Sequence, residues 1–140
     1  MSYYTARRLP TEVVDEVERR VAALGRARMV VSLDERSDRG LLDVLPDGVG
    51  KATAVAYLRD RLDLAEEALV FAGDSGNDRD ALLLPCPSIV VANAPASLKA
   101  DLQAEADGAG TGDRLYFARS PFASGVVEGL RHFGVRPTAR

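Results

Sequence analysis

The feature that most constrains this chain is a short apolar run that opens directly into a glycine-rich acidic turn. The run covers residues 69–72, and the turn after it reads Gly73-Asp-Ser-Gly-Asn-Asp78. Apolar runs of this length between turn residues are typical of buried strands in parallel sheets. Ligands of open α/β sheets bind beyond the carboxyl ends of such strands. Two carboxylates there, Asp74 and Asp78, therefore predict a site for a hard cation such as Mg2+, used in handling phosphate.

The composition allows one modest core and excludes several kinds of function. The chain has 140 residues, 46% hydrophobic and 28% charged, with a formal net charge of -3. Acidic and basic residues are mixed, so no basic stripe for nucleic acid is present. We expect neither a signal peptide nor a membrane-spanning helix, because no apolar block is long enough. A single cysteine, Cys86, excludes an internal disulfide and favours a cytoplasmic protein, and with one histidine it excludes a zinc site built from these residue types.

Strand-like and helix-like patterns alternate along the chain. We predict strands at residues 2–5, 28–33, 41–45, 69–72, 88–92 and 115–118, and helices at residues 12–24, 50–62, 78–84, 96–106 and 121–133. This alternation is typical of an α/β protein with a parallel sheet and right-handed crossovers. Residues 46–140 are predicted to form the C-terminal half of a doubly wound, Rossmann-like sheet. Residues 1–45 are predicted to form a separate small α/β element that needs a partner surface to close its core.

Three motifs taken together resemble the C-terminal half of a haloacid dehalogenase superfamily phosphatase. They are Lys51 at the start of a helix, Gly73-Asp-Ser-Gly-Asn-Asp78 after the next strand, and Val91-Ala-Asn-Ala94 after the strand that follows. Within that superfamily, Leu42-Asp-Val-Leu-Pro46 and residues 124–134 resemble the sucrose-phosphate phosphatase group. The resemblance covers nearly the whole chain. It implies that residues 1–45 are a remnant of the family's substrate cap.

The resemblance also implies a role for each polar residue of the turn. Asp74 would be a direct Mg2+ ligand, and Asp78 would complete the outer shell of the metal or orient Lys51. The compact ammonium of Lys51 would neutralise the transferred phosphoryl group. Ser75 and Asn77 would position phosphate, water or the metal shell. The implied substrate is a phosphorylated sugar or another small phosphomonoester, and the implied catalytic set is Lys51, Asp74 and Asp78.

The chain departs from the family pattern where the phosphate ester would be attacked. Family members carry the nucleophile in an Asp-x-Asp motif after the first core strand, whereas the only such motif here is Asp78-Arg-Asp80, inside the acidic turn and its helix. Without that nucleophile, covalent catalysis is missing and the chain is predicted to be catalytically incomplete. The other half of the site would lie upstream. We therefore expect a truncated product, a split gene, an isolated domain or a relic, with a homodimer or a missing N-terminal half as its partner.

Other interpretations stay open at this stage. In one alternative, Asp74 and Asp78 have no role beyond capping a helix, since Asp and Ser side chains satisfy free backbone amides at helix starts. Asn93 can support the acidic turn, or it can be a turn residue that opens a helix without any ligand. The whole chain can be a non-catalytic module that binds a phosphorylated ligand or a protein partner, in which case exposed sheet edges favour self-association. A dinucleotide-binding Rossmann domain is disfavoured, because no Gly-x-Gly-x-x-Gly opens a helix after a strand.

Overall fold

The chain divides after Gly50 into two units, Met1–Gly50 and Lys51–Arg140, in a computed structural model of the protein. The structure describes residues 1–6, 9–34, 37 and 39–135. Within these residues, no helix combines the length and the apolar character that crossing a membrane requires. Each unit has its own sheet, so the two are described separately.

The first unit is a three-stranded antiparallel sheet with one helix. Its elements are β1 (Ser2–Tyr4), α1 (Thr11–Ala22), β2 (Ala27–Asp34) and β3 (Arg39–Pro46). The strand order is β1-β3-β2, and Leu42 of the central strand lies opposite both Tyr3 and Val31. Leu42 and Val21 of the helix are buried, whereas Tyr3 and Val31 are exposed. This unit therefore buries little apolar surface of its own.

The turn after β3 stays with the first unit, so the structure divides the chain slightly later than the sequence analysis did. The backbone amide of Asp47 donates to the carbonyl of Arg26 at 3.0 Å. The guanidinium of Arg28 donates to the carbonyl of Val49 at 2.8 Å. These bonds tie residues 47–49 to the start of β2. The assignment of this unit to a cap remnant stays a prediction.

The second unit is built on a three-stranded parallel sheet. Its strands are β4 (Phe71–Gly73), β5 (Ser88–Val90) and β6 (Leu115–Phe117), and its helices are α2 (Lys51–Arg61), α3 (Arg79–Leu82), α4 (Ala96–Ala109) and α5 (Phe122–His132). The strand order is β4-β5-β6, and both pairs are parallel. Strands joined through helices in this way confirm the predicted α/β fold with a parallel sheet.

The core of the second unit lies on the two faces of β5. Successive side chains of a strand point to opposite faces, and here both faces are covered. Val90 packs with Leu98 and Leu102 of α4 on one face, and Ile89 packs with Ala118 on the other. Both β5 side chains are 0% exposed. The prediction of a fully buried strand is confirmed for β5.

Two glycines let helix α5 lie directly against β5. A Cβ atom at Gly129 would lie 2.5 Å from Cγ1 of Ile89, and one at Gly125 would lie 2.9 Å from Cγ1 of Val91. Any larger residue would force the helix away from the strand. This close contact fixes the start of α5 beside the carboxyl end of β5.

The same prediction of a buried strand is wrong for β4. Phe71, Ala72 and Gly73 are only partly buried, because β4 lies at the edge of the sheet. Among the residues that the structure describes, β4 pairs with β5 alone. An edge strand with one neighbour leaves part of its surface accessible.

Candidate active site

The acidic turn begins where β4 ends and leads into α3 through a short 3-10 turn, Gly76–Asp78. The chain doubles back so closely that a Cβ atom at Gly73 would lie 2.6 Å from Cβ of Asp78. Glycine is therefore required at residue 73 by lack of space. This close approach places the Asp78 carboxylate beneath the backbone of the turn.

Both carboxylate oxygens of Asp78 are engaged in hydrogen bonds. Oδ2 accepts from the backbone amides of Asp74 and Ser75, each at 3.1 Å, and lies 2.8 Å from the Ser75 hydroxyl. Oδ1 accepts from the ammonium of Lys51. Burial raises the pKa of Asp78, whereas the hydrogen bonds from Lys51, Ser75 and the two amides lower it. The lowering is larger than the rise, so the pKa of Asp78 lies below its ordinary value. Asp78 is thus a buried, ionised anchor for the turn.

Lys51 is held by the turn and still accessible from solvent. It is the first residue of α2, and its Nζ lies 2.8 Å from Oδ1 of Asn77 in addition to its ion pair with Asp78. That same Asn77 oxygen lies 2.7 Å from the hydroxyl of Ser75. The side chain of Lys51 is 47% exposed, against 6% for Asp78. Because an ammonium has three donors and the described residues provide two acceptors, Asn77 and Asp78, one N–H of Lys51 is left without a partner among them.

Asp74 follows β4 directly and is the carboxylate of the turn that has an available oxygen. Its Oδ2 accepts from the side-chain amide of Asn93 at 2.6 Å. No described residue donates to its Oδ1. The backbone amide of Asp74 donates to Asp78, which links this carboxylate to the Lys51 cluster through the main chain. The structure therefore brings Lys51, Ser75 and Asn77 to Asp78, and it joins Asp74 to them through the backbone.

Asn93 makes bonds that a simple turn residue would not need. Its Nδ2 donates to Asp74, and its Oδ1 accepts from the backbone amide of Phe122 at 2.8 Å. Sequence reasoning missed Phe122, and it carried no signal, because the contact uses the main chain rather than the side chain. The φ angle of Phe122 is 51°, a region that non-glycine residues rarely occupy.

The geometry bears on the interpretation of the turn as a helix cap. The bonds from the amides of Asp74 and Ser75 to Asp78 are those that a cap would make. Pairing with Lys51, and the bond between Asn93 and Asp74, are not required for capping. Among residues 1–6, 9–34, 37 and 39–135, no three His, Cys, Asp or Glu side chains converge on a point. A metal at Asp74 would thus take most of its ligands from water or phosphate, as Mg2+ commonly does.

Comparison with known proteins gives the same assignment as the motifs. Residues 1–134 match the model of the sucrose-6F-phosphate phosphohydrolase family. A mannosylfructose-phosphate phosphatase of Agrobacterium fabrum is 35% identical over 124 residues, which is 83% of this chain and 47% of that protein. Sucrose-phosphatase 1 of Nicotiana tabacum is 36% identical over 101 residues, covering 69% of this chain and 23% of that protein.

Solved structures show the same fold. The sucrose-phosphatase of Synechocystis sp. PCC6803, in complex with sucrose and phosphate, superimposes with a TM-score of 0.74 at 24% identity. The match covers 95% of this chain and 51% of that one. The chain thus spans about half, or less, of the length of the relatives it matches. On the family match, this chain belongs to the sucrose-6F-phosphate phosphohydrolase family of the haloacid dehalogenase superfamily.

Proposed function

We propose that this chain is the metal- and phosphate-binding module of a Mg2+-dependent phosphatase that acts on a sugar phosphate. The main support is the arrangement at the end of β4, where the Lys51–Asp78 ion pair adjoins a second carboxylate with an available oxygen. A fixed cation next to an accessible carboxylate suits a site that binds phosphate together with a metal. The names of the relatives, which are phosphatases of sucrose phosphate and mannosylfructose phosphate, favour a phosphorylated sugar as the ligand.

Each side chain has a separate part in this proposal. Asp74 would ligate Mg2+ through Oδ1, and the bound ion would offset negative charge on the phosphate oxygens. Lys51 would donate its remaining N–H to a phosphate oxygen. Asp78 would orient Lys51 rather than ligate the metal, because both of its oxygens already accept hydrogen bonds. Ser75 and Asn77 would hold the Lys51 ammonium in place and line the phosphate site.

Ester hydrolysis is proposed to need a nucleophile that this chain does not supply. The chain's only Asp-x-Asp is Asp78-Arg-Asp80. Asp78 is committed to Lys51 and the backbone, and the side chain of Asp80 is 58% exposed on α3. We place the nucleophile in a missing N-terminal half, which would pair with the open edge of β4. A cytoplasmic location, favoured by the lone Cys86, is part of the same proposal.

The second candidate function is a non-catalytic module that binds a phosphorylated ligand or a protein partner, including a second copy of the chain. The observation that favours it is that Asp78 is engaged by Lys51 and the backbone, so that in the described part of the chain Asp74 is the one carboxylate of the turn with an available oxygen. The two candidates differ in turnover. A non-catalytic module should bind the phosphorylated ligand without hydrolysing it, even when a fragment of a relative that carries the nucleophilic Asp-x-Asp motif is added.

Calorimetric titration of the chain with inorganic phosphate in the presence of Mg2+ tests the proposed site. Lys51→Ala should weaken phosphate binding by about 10- to 100-fold, the loss expected for a hydrogen bond to a charged group. Arg61→Ala, at the exposed far end of the same helix, is the matched control and should bind phosphate like the unaltered chain. Equal affinities for Lys51→Ala and Arg61→Ala would contradict the proposal.

Hydrolysis of p-nitrophenyl phosphate with Mg2+ tests catalytic incompleteness. The chain alone should show no turnover. Turnover that disappears in Asp74→Asn would show that this chain carries its own nucleophile, and the statement that it is incomplete would then be wrong. The same assay separates the two candidates when an N-terminal half of a relative is added, because only the phosphatase module should gain activity.

A further inference from the structure

We infer that Asn93 is a positioning residue, which ties Asp74 to the start of helix α5 and leaves one carboxylate oxygen for the metal. The inference rests on the proposed function, in which Asp74 ligates Mg2+. It goes beyond that function because it assigns a role to Asn93, to the backbone amide of Phe122 and to the packing of α5. None of these groups is part of the acidic turn.

The orientation of the Asn93 amide follows from the chemistry of its two neighbours. A backbone N–H can only donate, so the atom of Asn93 facing Phe122 must be the oxygen. An ionised carboxylate can only accept, so the atom facing Asp74 must be the nitrogen. The side-chain amide of Asn93 offers the donor and the acceptor in one rigid plane. Asp74, Asn93 and Phe122 thus form a continuous chain of hydrogen bonds, with distances of 2.6 and 2.8 Å.

The loop that carries Asn93 is fixed on both sides. The amide of Ala92 donates to the carbonyl of Ser120 at 3.1 Å, and the amide of Ala94 donates to the carbonyl of Val91 at 3.0 Å. The ammonium of Lys99 donates to the carbonyl of Ala92 at 2.6 Å. Because these bonds fix the main chain on either side of Asn93, the side chain has a defined starting point.

The other end of the hydrogen-bond chain is fixed by Glu128 of α5. Its carboxylate accepts from the backbone amides of Arg119 and Ser120 at 2.9 and 3.0 Å, and from the Tyr116 hydroxyl at 2.8 Å. These bonds hold the turn before α5 against the helix itself. The positive φ of Phe122 is an unfavourable backbone conformation within this turn, and its amide is the one that reaches Asn93.

A consequence for metal binding follows from this arrangement. With Oδ2 held by Asn93, Oδ1 is the oxygen of Asp74 that accepts no hydrogen bond from a described residue, so it is the oxygen that is best placed to ligate a metal. A monodentate carboxylate in a fixed orientation suits Mg2+, which demands near-ideal octahedral geometry. Hydrogen bonds to ligating groups commonly contribute about 10- to 100-fold to metal affinity. Asn93 is therefore expected to control the affinity of the site without touching the ion.

The first experiment measures Mn2+ affinity by electron paramagnetic resonance of the free ion, using the full chain. Asn93→Ala should bind Mn2+ about 10- to 100-fold more weakly than the unaltered chain. Gln103→Ala is the matched control, because it removes an exposed side-chain amide on α4 that donates to Asp107 rather than to Asp74. This control should retain the Mn2+ affinity of the unaltered chain. Equal affinity in Asn93→Ala would overturn the inference.

The second experiment needs no metal and separates the inference from the proposed function. In 15N NMR spectra of the metal-free chain, Asp74→Ala should shift the side-chain amide signals of Asn93 and the backbone amide signal of Phe122. Unchanged signals would overturn the hydrogen-bond chain. Failure of the unaltered chain to bind Mn2+ would contradict the proposed metal site and, with it, the metal-positioning role. If the chain does not bind Mn2+ but the amide signals of Asn93 and Phe122 shift, the hydrogen-bond chain from Asp74 to α5 is supported as a structural feature only.

Discussion

Strands β4 and β5 lie side by side in one parallel sheet, yet they have opposite surroundings. Ile89 and Val90 of β5 are 0% exposed, with strands on both sides and helices on both faces. The side chains of β4 are partly buried, and its end carries the polar turn of residues 74–78. β5 thus lies in the core of the unit, whereas β4 leaves the polar turn at its end partly accessible.

The difference shows how a small unit can support a polar site. The buried charge of Asp78 is stabilised by four donors, and these donors are positioned by a turn attached to a strand that β5 holds in place. Asn93 extends the same support from the end of β5 to Asp74. The end of the edge strand therefore carries the polar groups of the proposed site, and the central strand contributes their fixed positions.

The largest stability effect is expected at β5. Ile89→Ala should lower the free energy of unfolding by about 2–5 kcal/mol, because it leaves a cavity in a fully buried site. Leu58→Ala on α2, where Leu58 is 53% exposed, is the control and should change it by less than about 0.5 kcal/mol. Urea denaturation measures both values. Equal effects would show that β5 is not the stabilising centre of the unit.

The next effect is expected where β4 meets the acidic turn. Gly73→Ala should cost about 1–3 kcal/mol, because its Cβ would collide with Asp78 and force the turn open. Gly76→Ala in the same turn is a matched control, since no atom lies within 4 Å of its added Cβ. Urea denaturation and Mn2+ affinity should both separate the two variants. A Gly73→Ala variant that keeps both the stability and the Mn2+ affinity of the unaltered chain would contradict the observed packing.

An effect of comparable size, but dependent on pH, is expected for Asp78→Asn. The pKa of Asp78 is lowered in the fold, so its contribution to stability is present above its ordinary value of 3.8 and is lost as the pH falls through the lower folded value. Asp78→Asn should cost about 1–3 kcal/mol at neutral pH, because Lys51 loses its charged partner. The difference in the free energy of unfolding between the variant and the unaltered chain should stay constant above about pH 5 and narrow as the pH falls below about 4. A difference that is constant with pH would contradict the ion pair.

The smallest effect is expected for Glu128→Gln, which weakens the anchor of α5. Hydrogen bonds from the backbone amide of Arg119, from Ser120 and from the Tyr116 hydroxyl lower the pKa of Glu128 from 4.5 to about 2. The stabilisation is therefore present above pH 4.5 and lost as the pH falls toward 2. Thermal melts should show a lower midpoint for the variant at neutral pH and a smaller difference in acid. An unchanged midpoint at neutral pH would show that Glu128 does not hold this turn.

Much of the fold could be predicted from local patterns. The apolar run at residues 88–92 predicted β5 correctly, because a strand buried on both faces needs apolar or small residues throughout. The run at residues 69–72 has the same pattern, yet β4 is an edge strand. Sequence pattern cannot distinguish these cases, because the difference lies in which neighbours are present rather than in the strand itself.

The candidate site could be predicted from the sequence where its residues contribute side-chain groups rather than backbone groups. Asp74 and Asp78 stand out in the sequence as carboxylates within a glycine-rich turn. The sequence does not show how the environments of these two carboxylates differ, since the difference depends on which oxygens accept hydrogen bonds from Lys51 and Asn93. The part played by Phe122 was hidden for another reason, because a backbone amide is common to every residue except proline.

The central claim is that Asp74 binds a divalent cation at the end of β4. Mn2+ added to the 15N-labelled chain provides the most direct test, because the ion broadens amide signals near its binding site. We predict broadening that is strongest at residues 73–78 and Asn93, that is lost in Asp74→Asn and that is retained in Asp101→Asn, which removes an exposed carboxylate on α4. Broadening that persists in Asp74→Asn, or that is centred elsewhere on the chain, would contradict it.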